Sequence, residues 1–183
     1  MTPRVKSAND EGLGLVELII AIVVSGIVVA AMATIFINSW QAQKDVLSVS
    51  EATNRGQFVG SAIEKAVRNA VYMDVATGVD GVTLRVRTSL GAECQGFFLG
   101  DVTTADGVVT SVSTISNSGS LLPEASSWPV WEPAIVLDSA ESFIARTGNT
   151  VSYSLVIETD SAPVRIDGEV AQRTIPTGGH PCW

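Results

Sequence analysis

Residues Leu18 to Ile37 form a run of 20 residues without one charged side chain. As a helix such a run is about 30 Å long, the hydrocarbon thickness of a bilayer. Twelve of its members are Leu, Ile, Val or Phe. At about −0.3 to −0.6 kcal/mol each, they favour insertion by roughly 4–7 kcal/mol. Glu17 stands at the edge of the run, where a carboxylate costs less than the ~3 kcal/mol of the bilayer centre. The run therefore predicts a membrane-spanning helix. A helix buried in a soluble core is the alternative, but no other stretch carries enough apolar surface to cover it. A cleaved secretory signal fits less well. Its apolar region is usually about 7–15 residues long, although Ala30-Ala31-Met32-Ala33 imitates a cleavage site. Arg4 and Lys6 before the run, and Lys44 after it, predict a cytoplasmic N-terminus and an exported C-terminal part.

The chain has 183 residues, enough for one ordinary domain beyond this segment. Its net charge of −8 argues against a nucleic-acid partner. Arg85 and Arg87 share one face of an expected strand and are read as solvated. Charged residues make up 16%, below the roughly 25% of typical globular chains. Ser, Thr and Gly fill the difference, which suits an extracytoplasmic domain rich in strands and loops.

After Ile37 the sequence turns polar but stays compatible with a helix to about Tyr72. Val59, Ala62, Ile63, Ala66, Val67 and Ala70 recur at helical spacing. Glu64 and Arg68 pair at i,i+4 on another face. Gly56 and Gly60 are read as points of flexibility or close packing, not as a dimerisation motif. From Met73 onward the pattern becomes strands and turns. Val82–Arg87, Val108–Ile115, Val151–Thr159 and Val164–Gln172 read as half-buried strands, the last as one strand or as two short ones split at Asp167-Gly168. Gly148-Asn149 predicts a hairpin turn after Glu141–Arg146. The expected fold class is α+β: a long N-terminal helix on a mainly antiparallel sheet of four to six strands. A Ser-, Gly- and Pro-rich connection over residues 116–134 carries Trp128 and Trp131. These plug the edge of the sheet, or else contact a neighbouring subunit, a surface or a sugar.

Cys94 and Cys182 are the only cysteines. Both lie in the part expected to be exported, where a disulfide persists; two buried thiols are the alternative. No metal site is expected, because His180 is the single histidine and no second cluster completes a ligand set. Asp101, Asp106, Asp138 and Glu141 match no calcium loop and read as turn residues. Neither a nucleophile elbow nor a phosphate-binding loop occurs, so no enzyme activity, catalytic residue or cofactor is expected.

Gly12-Leu13-Gly14-Leu15-Val16-Glu17 and the apolar run after it resemble the class III leader of type IV pilins and pseudopilins. The family pattern is a short polar leader ending in glycine, a glutamate at the fifth position after the cut, and a long apolar helix. Gly26, nine residues after Glu17, occupies a position where the family commonly has glycine. The resemblance covers the N-terminal region in detail and the remainder only in architecture. Leu13 and Gly14 replace the usual phenylalanine and the usual threonine or serine. Thr34 stands where major pilins often carry a helix-kinking proline, which points to a minor pilin or pseudopilin.

The resemblance implies cleavage by a prepilin peptidase between Gly12 and Leu13, with N-methylation of the new Leu13 amine. Glu17 lies four residues on, one helical turn away. In a stack of staggered helices, the Glu17 carboxylate of one subunit could pair with the Leu13 amine of another. Both charges would then be compensated in an apolar bundle, where an unpaired charge is costly. The implied organisation is a leader (1–12), a transmembrane or filament-core helix (13–37), an amphipathic continuation (38–72) and an exported β-rich domain (73–183). The implied partners are other pilin subunits, the prepilin peptidase and methyltransferase, a membrane assembly platform, and membrane lipid before assembly. The expected location is the cytoplasmic membrane, then a cell-surface or periplasmic filament. A type II secretion pseudopilus subunit is one alternative. An uncleaved, single-pass anchored binding domain is another, and a secreted enzyme cut near Ala33 a third.

Overall fold

The structure, a computed structural model, describes residues 14–88, 93–105, 107–119, 124–133, 135, 143–173 and 182. The protein is α+β, with one long helix and two antiparallel sheets. It divides into two units, Met1–Lys44 and Asp45–Trp183. Helix α1 spans Leu15–Arg68, so its residues belong in part to each.

Within the first unit the helix carries the apolar run, Leu18 to Ile37. It is long and apolar enough to cross a membrane, with a mean hydropathy of 2.8 over its best window. This suits a single-pass anchor.

In the second unit the helix is amphipathic. Ala52, Gly56, Val59, Gly60, Ile63, Ala66 and Val67 are buried, the i,i+3/i+4 stripe of a helix with one covered face. The helix stops at Arg68, short of the Tyr72 that the periodicity predicts. Asn69 ends it: its side-chain amide donates to the Lys65 carbonyl at 2.8 Å. Lys65 and Arg68 in the last turn complement the negative end of the helix dipole.

The first sheet is a meander of five strands in sequence order. They are β1 (Ala70–Thr77), β2 (Gly81–Thr88), β3 (Cys94–Thr104), β4 (Gly107–Asn117) and β5 (Val130–Pro133). The second has three, β6 (Phe143–Thr147), β7 (Thr150–Ile157) and β8 (Val164–Ala171), in that order. The sequence predicts a single sheet; the structure has two. They are tied by an isolated bridge from Ile135 to Ile157. Side chains also cross between them: the Arg146 guanidinium donates to the Met73 carbonyl at 2.6 Å, and the Gln172 amide to the Ala70 carbonyl at 2.9 Å. Gly148, at φ +62, makes the β6–β7 turn where Gly148-Asn149 predicts it. Strand β8 runs unbroken through Asp167-Gly168.

One core joins the α1 stripe to Met73, Leu84, Val86, Phe97, Leu99 and Val112 of the first sheet and to Ile144, Tyr153, Leu155 and Val170 of the second. A smaller cluster holds Cys94, Phe98, Val102, Trp128 and Cys182. Strand β3 is the wall between them. Its odd-numbered Phe97 and Leu99 enter the main core, and its even-numbered Cys94, Phe98 and Val102 enter the smaller one, as the strand period of two requires. Among the described residues, a long N-terminal helix, apolar in its first part and packed on antiparallel sheet in its amphipathic part, fits a pilin-like architecture.

Candidate functional site

Helix α1 begins where the Gly14 carbonyl accepts hydrogen bonds from the Glu17 amide at 2.9 Å and the Leu18 amide at 3.3 Å. Glu17 is therefore in the first turn, at the positive end of the helix dipole, which favours a carboxylate. Its side chain is exposed. Gly12 and Leu13, the expected cut and the expected methylated residue, lie outside the described residues.

No residue of the apolar segment after Glu17 is buried. Ile22, Ile27, Val29, Met32, Ile35 and Phe36 all stand more than half exposed. Contiguous apolar exposure on this scale marks an interaction surface for lipid or protein. The two hydroxyls in the segment are satisfied locally. Ser25 Oγ donates to the Ile22 carbonyl at 3.0 Å and Thr34 Oγ1 to the Ala31 carbonyl at 2.8 Å. The segment can thus enter an apolar medium without carrying free donors. A Cβ built on Gly26 would meet nothing within 4 Å. Packing within the chain gives no reason for that glycine. Phe36 and Trp40 stack one turn apart, with ring centroids separated by 6.0 Å, where the apolar run gives way to polar residues.

In the second unit, Cys94 and Cys182 form a disulfide with Cα atoms 5.8 Å apart. The bridge sits against Phe98 and Trp128 in the smaller cluster. Trp128 is 2% exposed. Its indole covers Gly96 of β3 so closely that a Cβ there would stand 2.2 Å from the ring. Trp128 therefore caps the face of the sheet away from α1. Its Nε1 has no hydrogen-bond partner among the described residues.

Trp131 occupies a different place. Glu132 pairs with Val112 and Val130 with Ser113, so Trp131 is the extra residue of a bulge in β5. A bulge re-aims side chains. Here Trp131 meets Phe58 of α1 edge to face, with centroids 5.4 Å apart, and lies 6.5 Å from Phe97 of β3. Its neighbour Glu132 is 3% exposed and faces Arg55 of the same helix, Oε1 to guanidinium at 3.5 Å. That contact is an ion pair without a hydrogen bond: Glu132 Oε1 has no hydrogen-bond partner among the described residues. Burial pushes the Glu132 carboxyl above its ordinary range; Arg55 pulls the other way, and Glu51 adds to the rise. Sequence reasoning found both tryptophans but missed the Arg55–Glu132 pair. A lone glutamate inside Trp-Pro-Val-Trp-Glu-Pro was the available signal.

Tyr153 of β7 is the second buried ionisable group against α1. Its hydroxyl donates to Glu64 at 3.3 Å. Burial first, and Glu64 second, push its pKa up to about 12. Asp101 accepts a 2.6 Å hydrogen bond from Thr110 across the β3–β4 pair. Asp106, Asp138, Glu141 and His180 lie outside the described residues. Among the described residues no group of three or more His, Cys, Asp or Glu is placed to hold a metal ion. Comparison with protein-family models, with curated proteins and with solved structures finds no match to this chain.

Proposed function

We propose that the chain is a minor pilin or pseudopilin, a structural subunit of a type IV pilus-like filament. The observation that carries this reading is one helix whose apolar segment has no buried residue and whose first turn holds Glu17. A simple anchor needs the length and hydrophobicity but has no use for the carboxylate. In this reading a prepilin peptidase cuts after Gly12 and the Leu13 amine is methylated. The freed subunit then leaves the cytoplasmic membrane through an assembly platform. Its apolar helix exchanges lipid for the helices of other pilin subunits, and Glu17 sets register by pairing with a neighbour's Leu13 amine. Gly26, open on all sides, lets a neighbouring helix approach closely. The role is assembly rather than catalysis, with the β-rich unit displayed outside the membrane.

The type II secretion pseudopilus is the nearest alternative. It shares the helix that runs unbroken through Thr34. Mass spectrometry of the mature N-terminus tests the common reading. A peptide starting at N-methylated Leu13 is the expected result. An intact Met1 would instead support an uncleaved anchored binding domain, and a start near Ala33 a secreted protein.

A further inference from the structure

The contact between β5 and α1 has a property that filament assembly does not explain. Strand β5 has four residues and stands at the edge of its sheet. Its ladder to β4 is broken by the bulge at Trp131. Short edge strands with interrupted ladders open locally at low cost. Two side-chain contacts one helical turn apart on α1 hold this one down: Phe58 on Trp131, and Arg55 on Glu132. The first is apolar. The second places a carboxylate that water scarcely reaches beside one half-exposed guanidinium, with no hydrogen bond to its Oε1 among the described residues.

We propose that Glu132 is an acid-strengthened latch between β5 and α1: proton uptake by its carboxyl tightens the docking of β5, and proton loss loosens it. An ionised carboxylate buried with so few partners is better solvated when β5 lifts and lets water in. A neutral carboxyl lacks that drive. Among the described residues two charged groups bear on the site, both from α1. Arg55 opposes proton uptake and Glu51 favours it. Among the described residues, the other elements packed against β5 bring no charge to it: β4 presents Val112 opposite Glu132, flanked by the buried Ser111 and Ser113, and β3 presents Phe97 to Trp131. Burial outweighs Arg55 in setting the preference of the folded site. The latch therefore works in the sense opposite to an exposed salt bridge, which acid would break.

The test is amide hydrogen exchange of the full chain in detergent micelles, read on the peptide spanning Val130 to Pro133. Rates at about pH 4, below the ordinary carboxyl value of 4.5, and at about pH 7.5 are corrected for intrinsic exchange, with the β7 peptide as internal reference. Protection of the β5 peptide relative to β7 should rise toward acid. The limit is about tenfold for each pH unit by which the folded site prefers the proton. Glu132→Gln should be well protected at both pH values and show no pH response. Arg55→Met should enlarge the response, because it removes the group that opposes proton uptake. A wild-type response that is flat, or that falls toward acid, overturns the latch. So does a Glu132→Gln protein that keeps the wild-type response. If Glu132→Gln does not fold, Arg55→Met decides alone, and an unchanged or smaller response overturns the proposal.

Discussion

Gly60 of α1 lies directly against the ring of Tyr153 in β7: a Cβ at Gly60 would stand 2.6 Å from the Tyr153 hydroxyl oxygen. On the neighbouring strand, Gly168 pairs with Tyr153 in register, and a Cβ there would stand 2.3 Å from the same ring. The tyrosine thus occupies space that two missing side chains leave open. Gly56, one turn earlier, does the same for Ile157 and Ile166. The Gly-x-x-x-Gly spacing on α1 serves close helix-on-sheet packing within the chain.

Enlarging either glycine at Tyr153 should therefore loosen the second sheet from α1. Gly60→Leu and Gly168→Val are expected to destabilise by about 1–3 kcal/mol each, the usual cost of overpacking a filled core. Gly26→Leu, where the chain offers open space, should leave folding unchanged. Denaturant titration of the detergent-solubilised chain separates the two cases. Equal midpoints for Gly60→Leu and wild type would contradict the packing described.

The Tyr153 hydroxyl gives the fold a limit at alkaline pH. Its folded pKa, about 12, lies above the ordinary value of 10.0. The folded state therefore holds the proton longer than the unfolded chain. The associated stability is complete below pH 10 and is lost as pH rises through about 12. Full loss is worth roughly 2–3 kcal/mol. Tyr153→Phe gives up the hydrogen bond to Glu64, at a cost of about 0.5–1.5 kcal/mol. It should also flatten the decline between pH 10 and 12, measured by unfolding at each pH. A Phe variant with the wild-type alkaline decline would place its origin elsewhere.

Cys94 and Cys182, 88 positions apart, close much of the second unit into one loop. The chain-entropy model assigns such a loop about 4–5 kcal/mol. Reduction, or Cys94→Ser with Cys182→Ser, should lower thermal stability accordingly. It should also admit water around Trp128, shifting tryptophan emission to longer wavelength. Non-reducing peptide mapping should recover the two cysteines in one linked peptide. Two separate alkylated peptides would remove the bridge.

Glu17→Ala should separate anchoring from assembly. The apolar run inserts without help from this carboxylate, so membrane fractionation should be unchanged. On the proposed filament reading, incorporation into sheared filaments should fall by at least about tenfold, since a neighbour's Leu13 amine would be left uncompensated in an apolar bundle. Wild-type incorporation of Glu17→Ala would remove the register role.

Helix α1 and most strands were legible because their signals are local. The apolar run has one composition, the Val59–Ala70 stripe one period, and β2, β4, β7 and β8 alternate. Strand β3 was not found, since Cys94–Thr104 shows no polar face to alternate with. Both of its faces are covered, one by the α1 core and one by Trp128 and the disulfide. The first three residues of β1, Ala70 to Tyr72, read as the end of the helix, because Ala70 and Val71 continue the apolar period and only the Asn69 cap stops it. The division into two sheets was equally hidden. It rests on Ile135 bridging to Ile157, on Arg146 reaching Met73 and on Gln172 reaching Ala70, pairs with no local signature.

Chain order and side-chain chemistry alone determined the membrane-length helix, the placing of a single carboxylate at its lip, and an α+β fold with antiparallel strands. Each follows from periodicity or composition within a few turns of chain. Tertiary structure decided which residues became special. Trp128, from the turn before β5, caps the disulfide side, and Trp131, at the bulge within β5, faces α1. Glu132 is an ordinary carboxylate in the sequence. It becomes a buried charge with one cationic neighbour only when β5 is laid against Arg55, because solvation belongs to a position in space and not to a residue type.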